Sequence, residues 1–333
     1  MQMLANTSER HKALSLPEIH AITKIEGELL KGARRYFEGN GFWEVVVPHI
    51  TRATGACENI ATMFDVDFFG DRAFLVQTGQ LYLESLIPFM ERLYCVGSSF
   101  RSEPDVDERH LTEFTLVEME LPCDLDGLIG HIENIICSMI KPVTDNRMAE
   151  LKTLNVPKDH INMLRKLRPP FNRITYMEAV NLLKNQGVKW GDDLKSRHEK
   201  RLMESLGNKP LFITHFPKAI KFFNMRENTG NPSIVNSTDC ILPYSGEAVG
   251  AAEREHEHDK LYKRLSESAM LRQLEQRGGS IADFGWYLDT LKDGRMIPHA
   301  GCGIGLNRVT QFAIASGDIR MSTTFPQNRE SLM

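Results

Sequence analysis

The sequence predicts an α+β fold in which an antiparallel sheet is flanked by helices. Segments rich in β-forming residues do not alternate regularly with helical segments, which argues against a doubly wound parallel sheet. Two β-rich segments, residues 92–100 and 113–121, lie on either side of one polar, charged loop and predict an antiparallel pair. With 41% hydrophobic and 25% charged residues, the 333-residue chain has the composition of a globular protein, which excludes a disordered or disulfide-scaffold chain.

Charge, cysteine usage and hydropathy exclude several classes of protein. A net charge of -4 does not fit a strongly basic nucleic-acid platform. The six cysteines are scattered without a Cys-x-x-Cys pair, so a zinc cluster is not expected and the thiols should be reduced. The polar N-terminus does not resemble a signal peptide, and no apolar run reaches the ~18 residues of a membrane span. We therefore expect a cytoplasmic protein with no membrane partner.

The first half of the chain is predicted as follows. Residues 1–16 are a loose leader, and residues 17–333 form a single domain. Ser15 and Glu18 form a capping box at the start of a long helix with apolar residues at helical spacing, which ends at Gly39 or Gly41. Residues 42–47 and 74–76 are short strands.

The second half is more often helical. Apolar spacing predicts helices near residues 128–139, 177–185 and 194–206. Residues 141–172 are polar and basic, and we expect an exposed excursion there. Residues 253–277 are predicted to form one long charged helix. A glycine-punctuated strand over 296–305 and a helix over 306–316 close the domain.

The predicted strand at residues 113–121 has two different faces. Its side chains alternate between the face with Phe114, Leu116, Glu118 and Glu120 and the face with Val117, Met119 and Leu121. This pattern indicates a sheet with a packed back and a front that lines a polar cavity. Arginines on the preceding loop could bind phosphate oxygens there, because a guanidinium offers a planar fork of donors. A charged hairpin in solvent is the alternative interpretation.

Two further patterns carry weaker signals. The Gly-x-Gly-x-Gly run at residues 301–305 allows close approach of the backbone to a ligand, but it lies outside a βαβ unit and is not a dinucleotide fingerprint. Asp239 and Glu247 could hold Mg²⁺, which prefers oxygen ligands, or they could be ordinary surface acids.

Together these segments resemble the class II aminoacyl-tRNA synthetases, and among them the asparaginyl/aspartyl group. The resemblance covers about residues 17–328 and predicts the synthetase-like antiparallel sheet of that class. The matching segments are residues 41–48 (motif 1), 100–114 (motif 2) and 301–308 (motif 3), with asparaginyl-type blocks at 78–84, 190–194 and 298–301.

The resemblance implies a homodimer that attacks the α-phosphate of ATP with a substrate carboxylate, with Arg101 and Arg308 as the catalytic cations. The residues implied for ATP are Arg101, Glu103, Arg109, His110, Phe114 and Arg308, with adenine between Phe114 and Arg308. Asp239 and Glu247 are implied as ligands of Mg²⁺. The residues implied for the amino acid are Glu58, Gln80, Glu84 and Arg254.

The implied amino-acid pocket leaves two substrates open. Leu83 stands where aspartyl enzymes carry a lysine, which argues against an ordinary aspartyl pocket. Glu84 and Arg254 could bind the side-chain amide of asparagine. They could equally bind the α-ammonium and α-carboxylate of a reversed aspartate, whose β-carboxylate would then face ATP. The sequence does not decide between these poses.

Several positions depart from the family pattern and bear on the acceptor. The departures are Asn224, Ala252, Asn307 and Gln327. About sixteen residues precede the first long helix, too few for the anticodon-binding OB domain of the family. We therefore do not expect tRNA to be a partner.

Three functions remain open at this stage. The leading expectation is an AMP-forming asparagine synthetase, in which ammonia attacks an aspartyl adenylate, similar to archaeal enzymes built on this core. The alternative is a paralogue that activates asparagine or aspartate for another amine or a different non-tRNA acceptor. The third is an amino-acid or nucleotide sensor without turnover.

Overall fold

A central eight-stranded sheet organises the protein, whose computed structural model describes residues 6–53, 60–292 and 294–332. The strands are β1 (Trp43–Glu44), β2 (Ile50–Thr51), β3 (Asp65–Phe68), β4 (Asp71–Leu75), β5 (Leu93–Phe100), β6 (Glu113–Leu121), β7 (Asn172–Thr175), β8 (Leu211–Thr214), β9 (Ser237–Leu242), β10 (Gly246–Glu253) and β11 (Ala300–Gly305). The large sheet has the order β1-β5-β6-β11-β10-β9-β8-β7, and β2, β4 and β3 form a small second sheet.

Antiparallel pairing dominates the large sheet. Only the end pairs β1–β5 and β7–β8 are parallel among the pairs of this sheet that the structure describes. The predicted α+β class is therefore confirmed. The predicted strands at 92–100 and 113–121 are β5 and β6, paired in the expected antiparallel register from Leu93 opposite Glu120 to Phe100 opposite Glu113.

Helices cover the sheet. They are α1 (Arg10–Ala13), α2 (Pro17–Gly39), α3 (Gln80–Leu86), α4 (Leu125–Asn146), α5 (Met148–Thr153), α6 (Lys158–Arg165), α7 (Tyr176–Leu182), α8 (Ser196–Ser205), α9 (His258–Ser266), α10 (Ala269–Gln276), α11 (Gly285–Lys292) and α12 (Leu306–Ile314). Within the described ranges, none of them combines the length and the apolar character that crossing a bilayer requires.

The back of the central sheet forms the main core. Val117, Met119 and Leu121 of β6 belong to one buried apolar cluster with side chains of α2, α4 and α12. Removing such surface from water stabilises the fold by roughly 25 cal/mol per Å². The alternation predicted for β6 is confirmed on this side, and the opposite side chains are left for the front.

The chain start differs from its prediction. The N-cap position of α2 is Leu16, not Ser15, and no side chain makes a capping hydrogen bond there. Pro17 begins the helix and has no N–H that needs a partner. The predicted end is confirmed, since Asn40 follows the helix and Gly41 adopts a positive φ of 73°. The described part of the leader is packed: Arg10 is fully buried, and its Nη2 donates to the carbonyl of Arg320.

The prediction of an exposed excursion at residues 141–172 is wrong. This segment continues α4 and then forms α5 and α6. Val143, Leu151 and Leu164 are almost completely buried in the main core. These apolar residues form a sparse stripe among basic ones. Such a stripe can be buried by tertiary packing even when the composition of the segment is polar.

The single helix predicted for residues 253–277 is also wrong. Glu253 ends β10, and two shorter helices, α9 and α10, follow. Ser268 separates them, because its side chain accepts a hydrogen bond from the backbone N–H of Leu271 and caps α10.

Candidate active site

A cavity of about 280 Å³ opens on the front of the sheet, against β6, β9, β10 and β11. Phe114, Leu116, Glu118 and Glu120, the predicted front face of β6, all line it. The predicted polar cavity is therefore confirmed, and the alternative of a solvated hairpin is not.

Most of the predicted site residues meet in this cavity. Its lining includes Gln80, Arg101, Glu103, Arg109, His110, Phe114, Asp239, Glu247, Arg254 and Arg308. Glu84 does not belong to the lining, and Glu58 lies outside the described residues. Segments far apart in the chain are brought together because β6, β11, β10 and β9 are neighbours in one sheet.

Arg308 and Arg109 form a cationic region of the cavity. The Arg308 guanidinium donates to the backbone carbonyls of Ser245 (2.7 Å) and Arg109 (2.9 Å), so its orientation is set by the main chain. Burial and the neighbouring Arg109 charge lower the pKa of Arg308 to about 10, so it still carries its charge at neutral pH. Preorganised cations of this kind bind phosphate oxygens without reorganisation.

Glu199 on α8 is a buried carboxylate that the sequence analysis missed. It lines the cavity, and its Oε2 lies 3.6 Å from Nη2 of Arg109. Burial raises the pKa of Glu199, and the charges of Arg109 and Arg308 oppose that rise. Its only sequence signal was its position in the helix predicted near residues 194–206.

Arg101 lies over the ring of Phe114, with the guanidinium carbon 4.9 Å from the ring centroid. A cation over an aromatic face is a stable arrangement. Phe114 and Arg308 as the two sides of an adenine slot stay a prediction. His110 hydrogen-bonds Asp107 (2.9 Å), and burial of Asp107 is outweighed by hydrogen bonds from Arg109 and His110, which lower its pKa.

The inner end of the cavity is built around Arg254. Its guanidinium donates to Glu120 through Nε (3.1 Å) and Nη2 (2.7 Å), and Nε lies 3.6 Å from a carboxylate oxygen of Glu84. The Arg254 side chain is only 6% exposed. Burial raises the pKa of Glu120 to about 7; the Arg254 charge opposes this rise and the Glu84 charge adds to it.

Glu84 lies behind the cavity wall. It accepts hydrogen bonds from Gln80, from Asn224 (3.2 Å) and from the hydroxyl of Tyr287 (2.6 Å). Burial alone would raise its pKa, but the His299 ring, whose Nε2 lies 3.6 Å from a carboxylate oxygen of Glu84, and the Arg254 charge outweigh burial and lower it. Glu84 therefore contacts Gln80 and Arg254 from behind the wall, and Glu120 is the carboxylate of this group that lines the cavity. The assignment of Glu84 to the amino acid stays a prediction. Sequence analysis put Glu120 on the cavity face but did not assign it to the amino acid.

The glycine run fits this arrangement in an unexpected way. Gly301 on β11 is paired with Glu120 on β6, and a Cβ at Gly301 would lie 2.0 Å from the Glu120 carboxyl group. A Cβ at Gly303 would lie 3.8 Å from the nearest atoms of Glu118. The close approach predicted for this run is thus made, at Gly301, by a side chain of the neighbouring strand.

The two predicted Mg²⁺ ligands do not form a ready chelate. Both carboxylate oxygens of Asp239 accept hydrogen bonds from the ammonium of Lys221, at 2.8 and 2.9 Å. Glu247 lines the same cavity. The metal role of Asp239 stays a prediction, and a metal ion there would compete with Lys221 for the same carboxylate. Lys221 was missed, although it lies three residues before the divergent position Asn224.

The chain is similar to known proteins in both sequence and structure. Residues 3–329 match the family model described as tRNA synthetases class II (D, K and N). The chain is similar to the asparagine–tRNA ligase of Thermococcus kodakarensis, with 35% identity over 97% of this chain and 72% of the relative. Its structure is similar to asparaginyl-tRNA synthetase of Pyrococcus horikoshii complexed with asparaginyl-adenylate (TM-score 0.88, 33% identity, 99% of this chain and 73% of that one). The corresponding complex from Entamoeba histolytica has a TM-score of 0.83 at 26% identity, over 99% of this chain and 72% of that one.

Proposed function

The chain belongs to the class II tRNA synthetases of the D, K and N group, and on that premise we propose that it activates asparagine with ATP to form asparaginyl-adenylate and pyrophosphate. It is an ATP-dependent ligase of this class. The asparaginyl-adenylate bound by two structurally similar proteins supports asparagine as the amino acid.

The contact of Arg254 with two carboxylates is the observation that carries this proposal. Its guanidinium already has Glu120 at 2.7 Å and Glu84 at 3.6 Å. A further carboxylate at this end, from the side chain of aspartate or from the α-carboxylate of a reversed aspartate, would face two existing carboxylates. A neutral side-chain amide adds no charge and can donate to Glu120 while its carbonyl accepts from Arg254.

The proposed chemistry needs positioning and charge stabilisation from the protein. An α-carboxylate oxygen of asparagine attacks the α-phosphorus of ATP, a new P–O bond forms, and the bond to pyrophosphate breaks with its electron pair. Arg101 would stabilise the reacting α-phosphate, while Arg109 and Arg308 would hold the outer phosphates as negative charge grows on the leaving group. Mg²⁺, when bound, would neutralise phosphate charge, and Glu247 is the cavity carboxylate that could hold it.

The leading sequence-based expectation, an ammonia-dependent asparagine synthetase, has no support in the similar proteins. The relatives named above are asparagine–tRNA ligases or asparaginyl-tRNA synthetases, and they favour the alternative of asparagine activation for an acceptor. The expectation of a non-tRNA acceptor has no support in these relatives, which are tRNA ligases, and it stays a prediction.

ATP–pyrophosphate exchange tests the activation step. We expect exchange with asparagine and at least about 100-fold less with aspartate, since a buried like-charge contact costs several kcal/mol. Hydroxylamine, ammonia and bulk tRNA, added separately, then identify the acceptor by AMP release and by the product formed. Aspartate-dependent AMP release that needs ammonia and yields asparagine would instead establish the synthetase reaction and refute the proposal.

The segment resembling motif 1 supports the proposed homodimer. Trp43 and Val46 are 66% and 96% exposed, a large apolar surface for a single chain. Two copies related by a two-fold axis would bury both residues. Sedimentation should give about twice the 37.9 kDa chain mass at micromolar concentration, and a monomer alone would contradict this part of the proposal.

A further inference from the structure

A buried ammonium group lies in the wall of the cavity near the predicted metal position. Lys221 lines the cavity and donates to both oxygens of Asp239, at 2.8 and 2.9 Å. On another side its Nζ lies 3.9 Å from the centroid of the Phe216 ring. The carboxylate and the ring hold the ammonium in one place, and the side chains of Lys221 and Asp239 are only 14% and 11% exposed.

This ammonium stays charged. Burial lowers the pKa of Lys221, but the negative charges of Asp239 and Glu247 outweigh burial and raise it. A lysine placed between two carboxylates and an aromatic ring therefore contributes one fixed positive charge to the cavity. An isolated buried ion pair often adds little to stability compared with apolar side chains of similar size. Its place beside a phosphate-binding region indicates another use.

We propose that Lys221 is the resident cation of the phosphate site, and that its ammonium binds an ATP phosphate oxygen at the position where Asp239 would otherwise hold a Mg²⁺ ion. Asp239 is then a positioning residue for the lysine. The inference rests on the proposed use of ATP, but it concerns ATP binding and does not depend on which amino acid is activated.

The geometry gives the proposal a specific consequence. Because Lys221 occupies both oxygens of Asp239, part of the ATP affinity should persist without divalent metal. Removing the ammonium should free the Asp239 carboxylate, which is then able to bind Mg²⁺. Mg²⁺ should therefore replace the lost charge in Lys221→Met, provided that Asp239 is still present.

Calorimetric titration of the full chain with ATP, in EDTA and in millimolar Mg²⁺, tests this consequence. In EDTA we expect Lys221→Met to bind ATP at least about tenfold more weakly than the wild type, the usual effect of losing a hydrogen bond to a charged group. Mg²⁺ should restore most of the affinity of Lys221→Met. It should not restore that of the double variant Lys221→Met with Asp239→Asn, which also avoids leaving a buried unpaired carboxylate.

Lys218→Met is the matched control. Lys218 lies three positions earlier, pairs with Glu227 at 3.1 Å, and is 42% exposed, so its loss should leave ATP affinity unchanged. Equal ATP affinity of the wild type and both Lys221 variants in EDTA would overturn the inference and leave a purely structural ion pair. Absence of ATP binding by the wild type in Mg²⁺ would refute the proposed function as well, so the two failures are distinguishable.

Discussion

Glu120→Gln should change the choice between asparagine and aspartate. Glu120 is the carboxylate that holds Arg254 at 2.7 Å on the cavity wall. The variant keeps the size of the side chain and removes its negative charge. Glu120 and the carboxylate of a bound aspartate, about 5 Å apart around one guanidinium, would repel each other by roughly 3 kcal/mol at an effective dielectric constant of about 20. Because the pKa of Glu120 is raised to about 7, part of the protein already carries a neutral Glu120, so Glu120→Gln should improve the use of aspartate relative to asparagine by about tenfold at pH 8.

Pyrophosphate exchange with each amino acid measures this ratio. The fold should survive, because Glu84 remains 3.6 Å from Arg254 and the buried cation keeps a partner; thermal unfolding checks this. Glu113→Gln is the control, since Glu113 begins the same strand but is exposed. If the ratio of the two substrates changes by less than about threefold in a folded Glu120→Gln protein, the charge argument for asparagine is refuted.

Four other features of the structure give testable outcomes. Because the Glu120 pKa is raised to about 7, aspartate use relative to asparagine should increase as pH falls from 8 to 6, and a flat ratio would contradict this. Gly301→Ala should abolish exchange, because its Cβ would lie 2.0 Å from Glu120, whereas Gly303→Ala, with 3.8 Å to its nearest neighbour, should be tolerated; equal activities would refute this account of the glycine run. Arg101→Ala should slow exchange by about 10²–10³-fold with an unchanged melting temperature, and exchange at the wild-type rate would remove it from the mechanism. Burial raises the pKa of Glu26 from 4.5 to about 7, so its contribution to stability is fully present below pH 4.5 and is lost as pH rises through 7. Glu26→Gln should therefore raise the free energy of unfolding by roughly 2–3 kcal/mol at pH 8 and leave it unchanged at pH 4, measured by urea denaturation, and a destabilised variant at pH 8 would contradict the sign.

Much of the site could be predicted from local sequence. The period of two in residues 113–121 predicted the cavity face and the core face of β6, because alternation is a property of the strand itself. The family resemblance, carried by short motifs, implied which arginines meet at the cavity, and ten of the implied binding residues line it. Signals of this kind lie within one element or one short segment, so they need no knowledge of the neighbours.

Only the tertiary structure decided which charged groups face a ligand and which support them. The sequence analysis paired Arg254 with Glu84, yet β6 places Glu120 on the wall and α3 places Glu84 behind it. The pairing of Lys221 with Asp239 joins residues 18 positions apart on different elements. Sheet register sets Gly301 opposite Glu120. Composition and periodicity contain no information on such long-range juxtapositions, because they arise when separate elements pack.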